Sequence, residues 1–407
     1  MKTSREIRLF FFAMFSIACL CTTNSYAGSS SSQERFYKRI NTIEKLMGDR
    51  NYNEALARLD KLYASYENRK YEASLIFQLY GYVYSQKGDT DKAIKAFNDC
   101  LVLNNLPKPA LQNLRLNISQ LLLDKKQYEK SEKMFISWRS SGSPLSSEGY
   151  ALGGIIYAYQ KKYLDAEDAL QKAIKGSKQP KEEWFKLLLS IFMESKKYQK
   201  AKLLLTKMIG RYPVNKDYWL RMADVGYLLK EYTFASSVLE VAEKNGLLTT
   251  GDEYKKLAGF YYYSAIPYKS ATTLEVAFKK KLLTPTVELL RQQAYYYRQA
   301  KAHTQAIQSL QHAISLSPMP ALYYEIAQIH VSQNKWKQAS ESLMQIAESN
   351  DHQLKSKAAL LLGQTYFEQG KYLQALKIFN QLASEDEASQ DAIRWKIYTQ
   401  QVAGLSN

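Results

Sequence analysis

The sequence predicts an all-α protein built as a solenoid of stacked helical hairpins, and three observations support this. A small residue recurs at nearly constant intervals of 33 to 38 residues through most of the chain. Large aromatic or aliphatic residues keep fixed distances from each small residue. No composition break interrupts the pattern between residues 36 and 383. We therefore expect about ten helix-turn-helix repeats in one right-handed superhelix, followed by a C-terminal capping helix.

The small residues mark the places where two helices cross. Two antiparallel helices approach to roughly 8 to 10 Å only where one side chain at the crossing is small. A second small residue, such as Gly81 or Gly363, stands twelve positions earlier, where the first helix of the same hairpin would pass. The ten crossing residues are Ala55, Ala93, Ser131, Ala166, Ala201, Ala235, Ser270, Ala306, Ala339 and Ala375.

Aromatic residues and prolines fix the rest of the repeat. A Tyr lies three residues before six of the crossing residues, for example Tyr128 and Tyr163. Pro213 and Pro318 each lie twelve residues after one, where a second helix should stop. These positions resemble the tetratricopeptide-repeat consensus, and the resemblance covers residues 35–383. It implies a binding surface for other proteins.

Residues 1–27 have the three parts of a secretory signal peptide. Lys2, Arg5 and Arg8 precede twelve mostly apolar residues, and Ser25-Tyr26-Ala27 offers a cleavage site. We expect cleavage after Ala27 and a periplasmic location. The alternative is a lipoprotein anchored at Cys19, although the preceding residues lack the Leu that such a site normally has.

The segments on either side of the repeats have simpler predictions. The Ser-rich residues 28–34 are expected to form a flexible tether, because such a composition is too polar to pack. Residues 384–407 are expected to form a capping helix and tail. Its acidic start, Glu385-Asp386-Glu387, suits the N-terminus of a helix.

Composition limits the classes of partner. The chain has a net charge of +17, and a chain without residues 1–27 would keep 53 basic and 38 acidic residues, a net of +15. Nucleic acid is not expected for an exported chain whose only compact basic cluster is Lys279-Lys280-Lys281. Acidic protein segments, acidic polysaccharide and anionic lipid headgroups fit this charge better, so any membrane association should be peripheral.

The sequence contains no recognised catalytic or metal-binding motif. The four histidines have no HExxH spacing, and there is no GxGxxG, P-loop or GxSxG. His303 and His330 replace aromatic residues at packing positions, and Cys100 falls where a small apolar residue is expected. We therefore expect no enzyme activity, no cofactor and no metal. A metal or cofactor bound to the purified protein would revive the alternative of an enzyme or metal carrier.

The predicted binding site lies on the first helices of repeats seven to nine. In tetratricopeptide-repeat proteins the first helices line a concave groove, with exposed positions 15, 11 and 8 residues before the crossing residue. Applied to this chain, that register places Arg and Tyr residues, the types that anchor partner peptides, on one wall. The site residues are Lys255, Tyr262, Arg291, Tyr295, Arg298 and Tyr324. They do not reproduce the Lys-Asn-Asn clamp that grips C-terminal carboxylates.

Four further segments resemble landmarks of periplasmic tetratricopeptide-repeat proteins associated with TonB-ExbB-ExbD systems. The segments are Gln179-Pro180-Lys181-Glu182-Glu183-Trp184, Tyr212-Pro213 with Tyr218-Trp219, Gly246-Leu247-Leu248-Thr249, and Pro267-Tyr268-Lys269. The resemblance implies an accessory of an energy-transducing outer-membrane uptake system, with TonB, ExbB or ExbD as partners. The alternative is a scaffold for another envelope assembly, such as a secretion, pilus or polysaccharide-export machine.

Overall fold

The computed structural model of the protein describes residues 31–142, 146–347, 349–384 and 390–404. Within these ranges every regular element is an α-helix, and the 21 helices there are accompanied by no strand. The predicted all-α fold class is therefore confirmed. The signal peptide predicted at residues 1–27 and the acidic residues Glu385, Asp386 and Glu387 lie outside the described residues.

The helices follow one another as short hairpins. In the first half of the chain they are α1 (Ser31–Gly48), α2 (Tyr52–Tyr66), α3 (Lys70–Lys87), α4 (Thr90–Leu103), α5 (Lys108–Asp124), α6 (Tyr128–Arg139), α7 (Ser147–Tyr159), α8 (Tyr163–Gly176), α9 (Glu182–Glu194) and α10 (Tyr198–Arg211). They continue as α11 (Lys216–Leu228), α12 (Tyr232–Lys244), α13 (Gly251–Tyr263), α14 (Pro267–Lys279), α15 (Val287–Gln299), α16 (His303–Leu316), α17 (Pro320–Ser332), α18 (Trp336–Met344), α19 (His352–Glu368), α20 (Tyr372–Ala383) and α21 (Gln390–Val402). Odd-numbered helices up to α19 are the first helices of repeats, and even-numbered helices are the second.

The chain divides into two compact units. The first unit is residues 1–184 and the second is residues 185–407, so the division falls inside α9. Each unit has its own buried apolar clusters. In the first, Phe36, Ile43 and Leu59 pack together, and in the second Leu274, Leu290 and Leu310 do so.

The predicted crossing residues lie in the interior. All ten, from Ala55 to Ala375, have a relative exposure of 0%. The glycines twelve positions earlier face large side chains: a Cβ on Gly81 would overlap the ring of Phe97, and one on Gly363 would overlap the ring of Phe379. The helix pairs therefore approach closely because these positions lack bulk, as the sequence pattern predicts.

Each hairpin turns through one residue in the left-handed conformation. In the sixth repeat Lys230 has φ 61°, and the amides of Lys230 and Glu231 donate hydrogen bonds to the carbonyls of Tyr227 and Gly226 at 2.9 and 2.8 Å. This pattern satisfies the last carbonyls of the first helix. The residues at the equivalent position are Arg50, Gly88, Lys126 and Lys161 in the first unit, and Lys196, Lys230, Ala265, Lys301, Asn334 and Gly370 in the second.

The two ends of the described chain are helical. The first helix begins at Ser31, so residues 31–34 of the predicted tether belong to α1. At the other end, α21 packs on the last repeat through Trp395, whose ring lies 5.4 Å from that of Phe367 and 6.0 Å from that of Phe379. Among the described helices, none combines the length and apolar character needed to span a bilayer.

Candidate functional site

The candidate site is the first-helix surface of the second unit, formed by the outward faces of α11, α13, α15 and α17. Contacts between residues about one repeat apart hold these helices side by side. The Lys256 ammonium on α13 lies 2.8 and 3.0 Å from the two carboxylate oxygens of Asp224 on α11. Arg291 on α15 donates to Glu325 on α17. The surface is therefore continuous across four repeats.

Tyrosines form the central part of this surface. The hydroxyls of Tyr262 on α13 and Tyr295 on α15 are hydrogen-bonded at 2.7 Å, with ring centroids 5.8 Å apart. Tyr296 packs beneath them, 5.2 Å from Tyr262 and 6.0 Å from Tyr295. Tyr295 is 43% exposed. Two of the predicted site residues thus meet at the surface and present an apolar face with a polar rim.

The other predicted site residues have local partners. Lys255 lies 2.6 Å from Asp252 on its own helix, and Arg291 is held in an ion pair with Glu325. Tyr324 packs against the core of the ninth repeat. Arg298 stands half-buried in the last turn of α15. Among the predicted site residues, only Tyr262 and Tyr295 contact each other directly. Arg291 takes part in the ion pair that links α15 to α17.

A concave pocket opens next to the tyrosine pair, between α11 and α13. Its volume is about 490 Å³, and we call it the tyrosine pocket. Its walls are mostly apolar: Tyr227 stacks on Phe260 at 5.6 Å and meets Tyr263 at 5.3 Å. The lining residues are Asp224, Tyr227, Leu228, Lys256, Gly259, Phe260 and Tyr263.

The pocket exists because α13 carries a glycine where a larger residue would fill the space. A Cβ built on Gly259 meets nothing within 4 Å. Open space, and not a packed side chain, therefore lies beside the helix at this position. The start of α13 is fixed by a capping box, in which the amide of Glu253 donates to Thr250 Oγ1 at 3.4 Å. The amides of Thr249 and Thr250 donate in return to Glu253 at 2.6 and 2.9 Å. The helix that bears the pocket is thus held at its first turn.

The tyrosine hydroxyls of this surface are neutral donors and acceptors at neutral pH. A hydrogen bond with Tyr295, together with burial, raises the pKa of Tyr262 above its ordinary value. A hydrogen bond with Tyr263 raises the pKa of Tyr227 in the same direction. Both groups therefore keep their protons. They can donate to a carbonyl or carboxylate and accept from an amide.

Sequence reasoning missed most of the tyrosine pocket. Asp224 and Tyr227 lie 11 and 8 residues before Ala235, so applying the same register to the sixth repeat would have found both. Tyr263 and Lys256 lie at positions outside that register. Their part in the pocket depends on how α11 packs beside α13, and the repeat pattern alone does not specify that.

Candidate metal ligands do not cluster in the described part of the chain. There, no group of three or more His, Cys, Asp or Glu side chains is placed to hold a metal ion. His330 is half-buried with its Nδ1 unpartnered, and burial, helped by Lys335, lowers its pKa. Cys100 is buried and donates to the carbonyl of Ser74 at 3.1 Å, and burial raises its pKa to about 12. A thiol so protonated is a poor nucleophile.

Two segments of the sequence match family models whose description is "tetratricopeptide repeat". Residues 324–392 match one such model and residues 76–105 match another. The chain contains tetratricopeptide repeats. Residues 76–105 lie in the first compact unit and residues 324–392 in the second, and the segment 324–392 includes Tyr324 of the first-helix surface. No curated protein sequence matches this tetratricopeptide-repeat chain.

Solved structures similar to this tetratricopeptide-repeat chain include two bacterial proteins. The C-terminal part of a tetratricopeptide-repeat-containing protein from Cytophaga hutchinsonii is 18% identical, with 69% of this chain and 95% of that one covered and a TM-score of 0.39. A tetratricopeptide-repeat protein from Parabacteroides merdae is 16% identical, with coverages of 62% and 98% and a TM-score of 0.34. The tetratricopeptide domain of P58(IPK) is 14% identical, with coverages of 92% and 99% and a TM-score of 0.25.

Proposed function

We propose that the protein is a scaffold that binds an extended segment of a partner protein across the first-helix surface, with the tyrosine pocket as its anchor point. The observation that carries this proposal is the pocket itself. It is concave, mostly apolar and open, and two hydrogen-bonding charged residues, Asp224 and Lys256, stand at its side. Apolar pockets with few polar groups are the usual form of a recognition site.

The chemistry of the surface indicates which side chain and backbone groups of a partner it can bind. An aromatic or branched aliphatic side chain can fill the space above Gly259 and pack on Tyr227, Phe260 and Tyr263. The backbone beside that side chain can exchange hydrogen bonds with the Tyr262 and Tyr295 hydroxyls. Rigid tyrosines supply contact area at a low cost in conformational entropy, which makes them effective anchors.

The cellular setting of this scaffold is part of the proposal. The signal-peptide pattern of residues 1–27 supports export to the periplasm. The resemblance at the four landmark segments supports an accessory role in a TonB-ExbB-ExbD uptake system, with one of those proteins as the partner. A second candidate is a scaffold for a secretion, pilus or polysaccharide-export assembly, which the same surface chemistry would serve.

Site-specific photo-crosslinking in cells tests both the proposed binding surface and the proposed partner. Gly259 is replaced by a photoreactive phenylalanine analogue, because its Cβ direction is open. Gly210 on α10, which is exposed and also has nothing within 4 Å of a built Cβ, is the matched control position. We expect a discrete crosslink from position 259 that is absent from position 210 and is lost when Tyr227→Ala and Tyr263→Ala are added.

The identity of the crosslinked protein separates the alternatives. A TonB, ExbB or ExbD subunit supports the accessory role, whereas a pilus, secretion or polymer-export subunit supports the second candidate. Equal crosslinking from both positions, or none from either, would overturn the assignment of this surface as the binding site.

A further inference from the structure

A second surface of the second unit has a different chemistry from the tyrosine pocket. It is the turn edge, which we define as the turns between the first and second helices of each repeat. Contacts near these turns link repeat five to six, six to seven and nine to ten. Lys202 pairs with Glu231, the rings of Tyr232 and Tyr263 stack at 5.5 Å, and Gln369 donates to the carbonyl of Trp336 at 3.1 Å. The turn segments are residues 195–197, 229–231, 264–266, 300–302, 333–335 and 369–371.

Lysine dominates this edge. Five turns carry an exposed lysine, and Glu231 is the one acidic side chain in the six segments, all of which the structure describes. Lys202 neutralises that carboxylate. Within the described residues, Lys196, Lys230 and Lys301 make no ion pair or side-chain hydrogen bond. The exposed turn lysines are Lys196, Lys230, Lys301, Lys335 and Lys371.

The backbone conformation at three of these turns favours glycine over lysine. Lys196, Lys230 and Lys301 have φ between 55° and 61°, in the left-handed region. Gly370 occupies the equivalent place in the last repeat with φ 72°, without the steric cost of a Cβ. A lysine elsewhere in the last helical turn would interact with the helix dipole equally well. The fold alone therefore does not explain a lysine at these three turns.

The seventh repeat breaks the pattern with an apolar turn between two basic ones. Its left-handed residue is Ala265, and Ile266 and the nearby Tyr268 are 37% and 47% exposed. The lysine turns at Lys230 and Lys301 flank it on either side. Tyrosines with exposed hydroxyls and apolar rings are the residues that sit at the boundary between water and lipid.

We propose that the turn edge docks the protein on an anionic membrane surface, with the lysines on headgroup phosphates and the Ile266–Tyr268 turn at the headgroup boundary. The cations are lysines, which act as point charges, rather than arginines with a fixed fork geometry. They stand in the turns between helices, and their side chains are exposed. Clustered lysines beside exposed aromatic and apolar side chains are the pattern that binds anionic lipid headgroups.

Vesicle co-sedimentation with the full chain tests this docking. The vesicles are phosphatidylcholine with or without phosphatidylglycerol. Residues 1–27 are the same in every variant, so differences in binding between variants measure the contribution of the turn edge. We expect binding that requires phosphatidylglycerol and weakens as salt rises. Lys230→Glu with Lys301→Glu should weaken it by at least about 25-fold, because each lysine near an anionic surface contributes about fivefold in affinity.

Two further variants make the test specific. Lys207→Glu with Lys355→Glu makes the same change in net charge on exposed lysines away from the turns, and it should bind nearly as the unchanged chain does. Ile266→Ser should weaken binding without altering the net charge. Circular dichroism and the melting temperature verify that all variants fold.

Three results would overturn the proposal. One is equal binding to neutral and anionic vesicles. Another is an equal loss in the control and edge variants, which would mean that net charge alone acts. The third is edge-dependent binding to soluble poly-glutamate but not to vesicles, which would assign the edge to an acidic protein segment. Retention of the crosslink at position 259 in the edge variant distinguishes this surface from the tyrosine pocket.

Discussion

Side-chain volume at the helix crossings is the residue-scale property on which the fold depends. Where the third repeat uses serine instead of alanine, the hydroxyls of Ser131 and Ser119 donate to each other's backbone carbonyls at 2.6 and 2.8 Å. The polar groups are buried but satisfied, so serine fits where its size allows. The sequence could predict these positions because volume at a crossing is a local requirement that recurs with each repeat.

Paired glycine substitutions test this requirement. Gly81→Ala should lower the free energy of unfolding by about 1 to 3 kcal/mol, because its Cβ would overlap the Phe97 ring and force repacking. Gly259→Ala should raise it by about 0.5 to 1 kcal/mol, since alanine is the better helix former and its Cβ meets open space. Urea unfolding measures both. Similar losses in the two variants would show that the crossing register is misplaced.

One residue of the predicted site also has a contact within the fold. Glu325 lies one repeat further along from Arg291 and accepts its hydrogen bonds. The sequence contains both residues 34 positions apart, yet their pairing depends on the rotation of α17 beside α15. Reversing Arg291 to glutamate would set two carboxylates together, so Arg298→Glu is the cleaner probe of partner binding.

Helix ends can be tested one element at a time. Thr250→Ala removes the N-cap of α13 and half of its capping box, and we expect a loss of about 1 kcal/mol in the free energy of unfolding. Thr286 caps α15 in the same way but has Leu289, not an acid, at the third helical position. Thr286→Ala should therefore cost less. A larger loss at Thr286 in thermal or urea unfolding would contradict a stabilising role for the box.

Glu240 links α12 to its neighbours and gives a pH-dependent prediction. Hydrogen bonds from Lys244, Tyr261 and Lys269 lower its pKa from 4.5 to about 2. Because the folded value lies below the unfolded one, the stabilisation is complete above about pH 5 and is lost as pH falls toward the folded pKa. Glu240→Gln should therefore reduce stability at neutral pH, by about 1 kcal/mol, because solvent near the surface screens its ion pairs with Lys244 and Lys269.

The melting temperature against pH is the measurement for Glu240. The difference between Glu240→Gln and the unchanged chain should shrink steadily below the ordinary carboxyl pKa and approach zero near the folded value. Glu288→Gln, at an exposed position on α15, gives the baseline for removing one negative charge. A difference that stays constant down to the acid limit would mean that the three hydrogen bonds do not depend on the charge of Glu240.

At the scale of the whole molecule, repeats interact with their sequence neighbours. In the second unit each hairpin packs on the next, and α21 covers the last one through Trp395. The repeat period predicted this arrangement, because equal hairpins can bury their apolar faces only by stacking. The tyrosine pocket could not be predicted in the same way. It depends on a residue that differs between repeats, Gly259, and on how α11 packs beside α13.

Nearest-neighbour packing predicts that damage in one repeat stays local. Gly363→Leu would drive a large side chain into Phe379 and unfold the hairpin of α19 and α20. Because stability in a repeat array is the sum of repeat and interface contributions, protection should be lost in α19 to α21 and decline gradually toward α17. Amides of α11 to α13 should keep their protection. Hydrogen exchange followed by mass spectrometry resolves these peptides. A uniform loss from α10 to α21 would mean instead that the second unit unfolds as one cooperative body, and the binding surface on α11 to α15 would then depend on every hairpin beyond it.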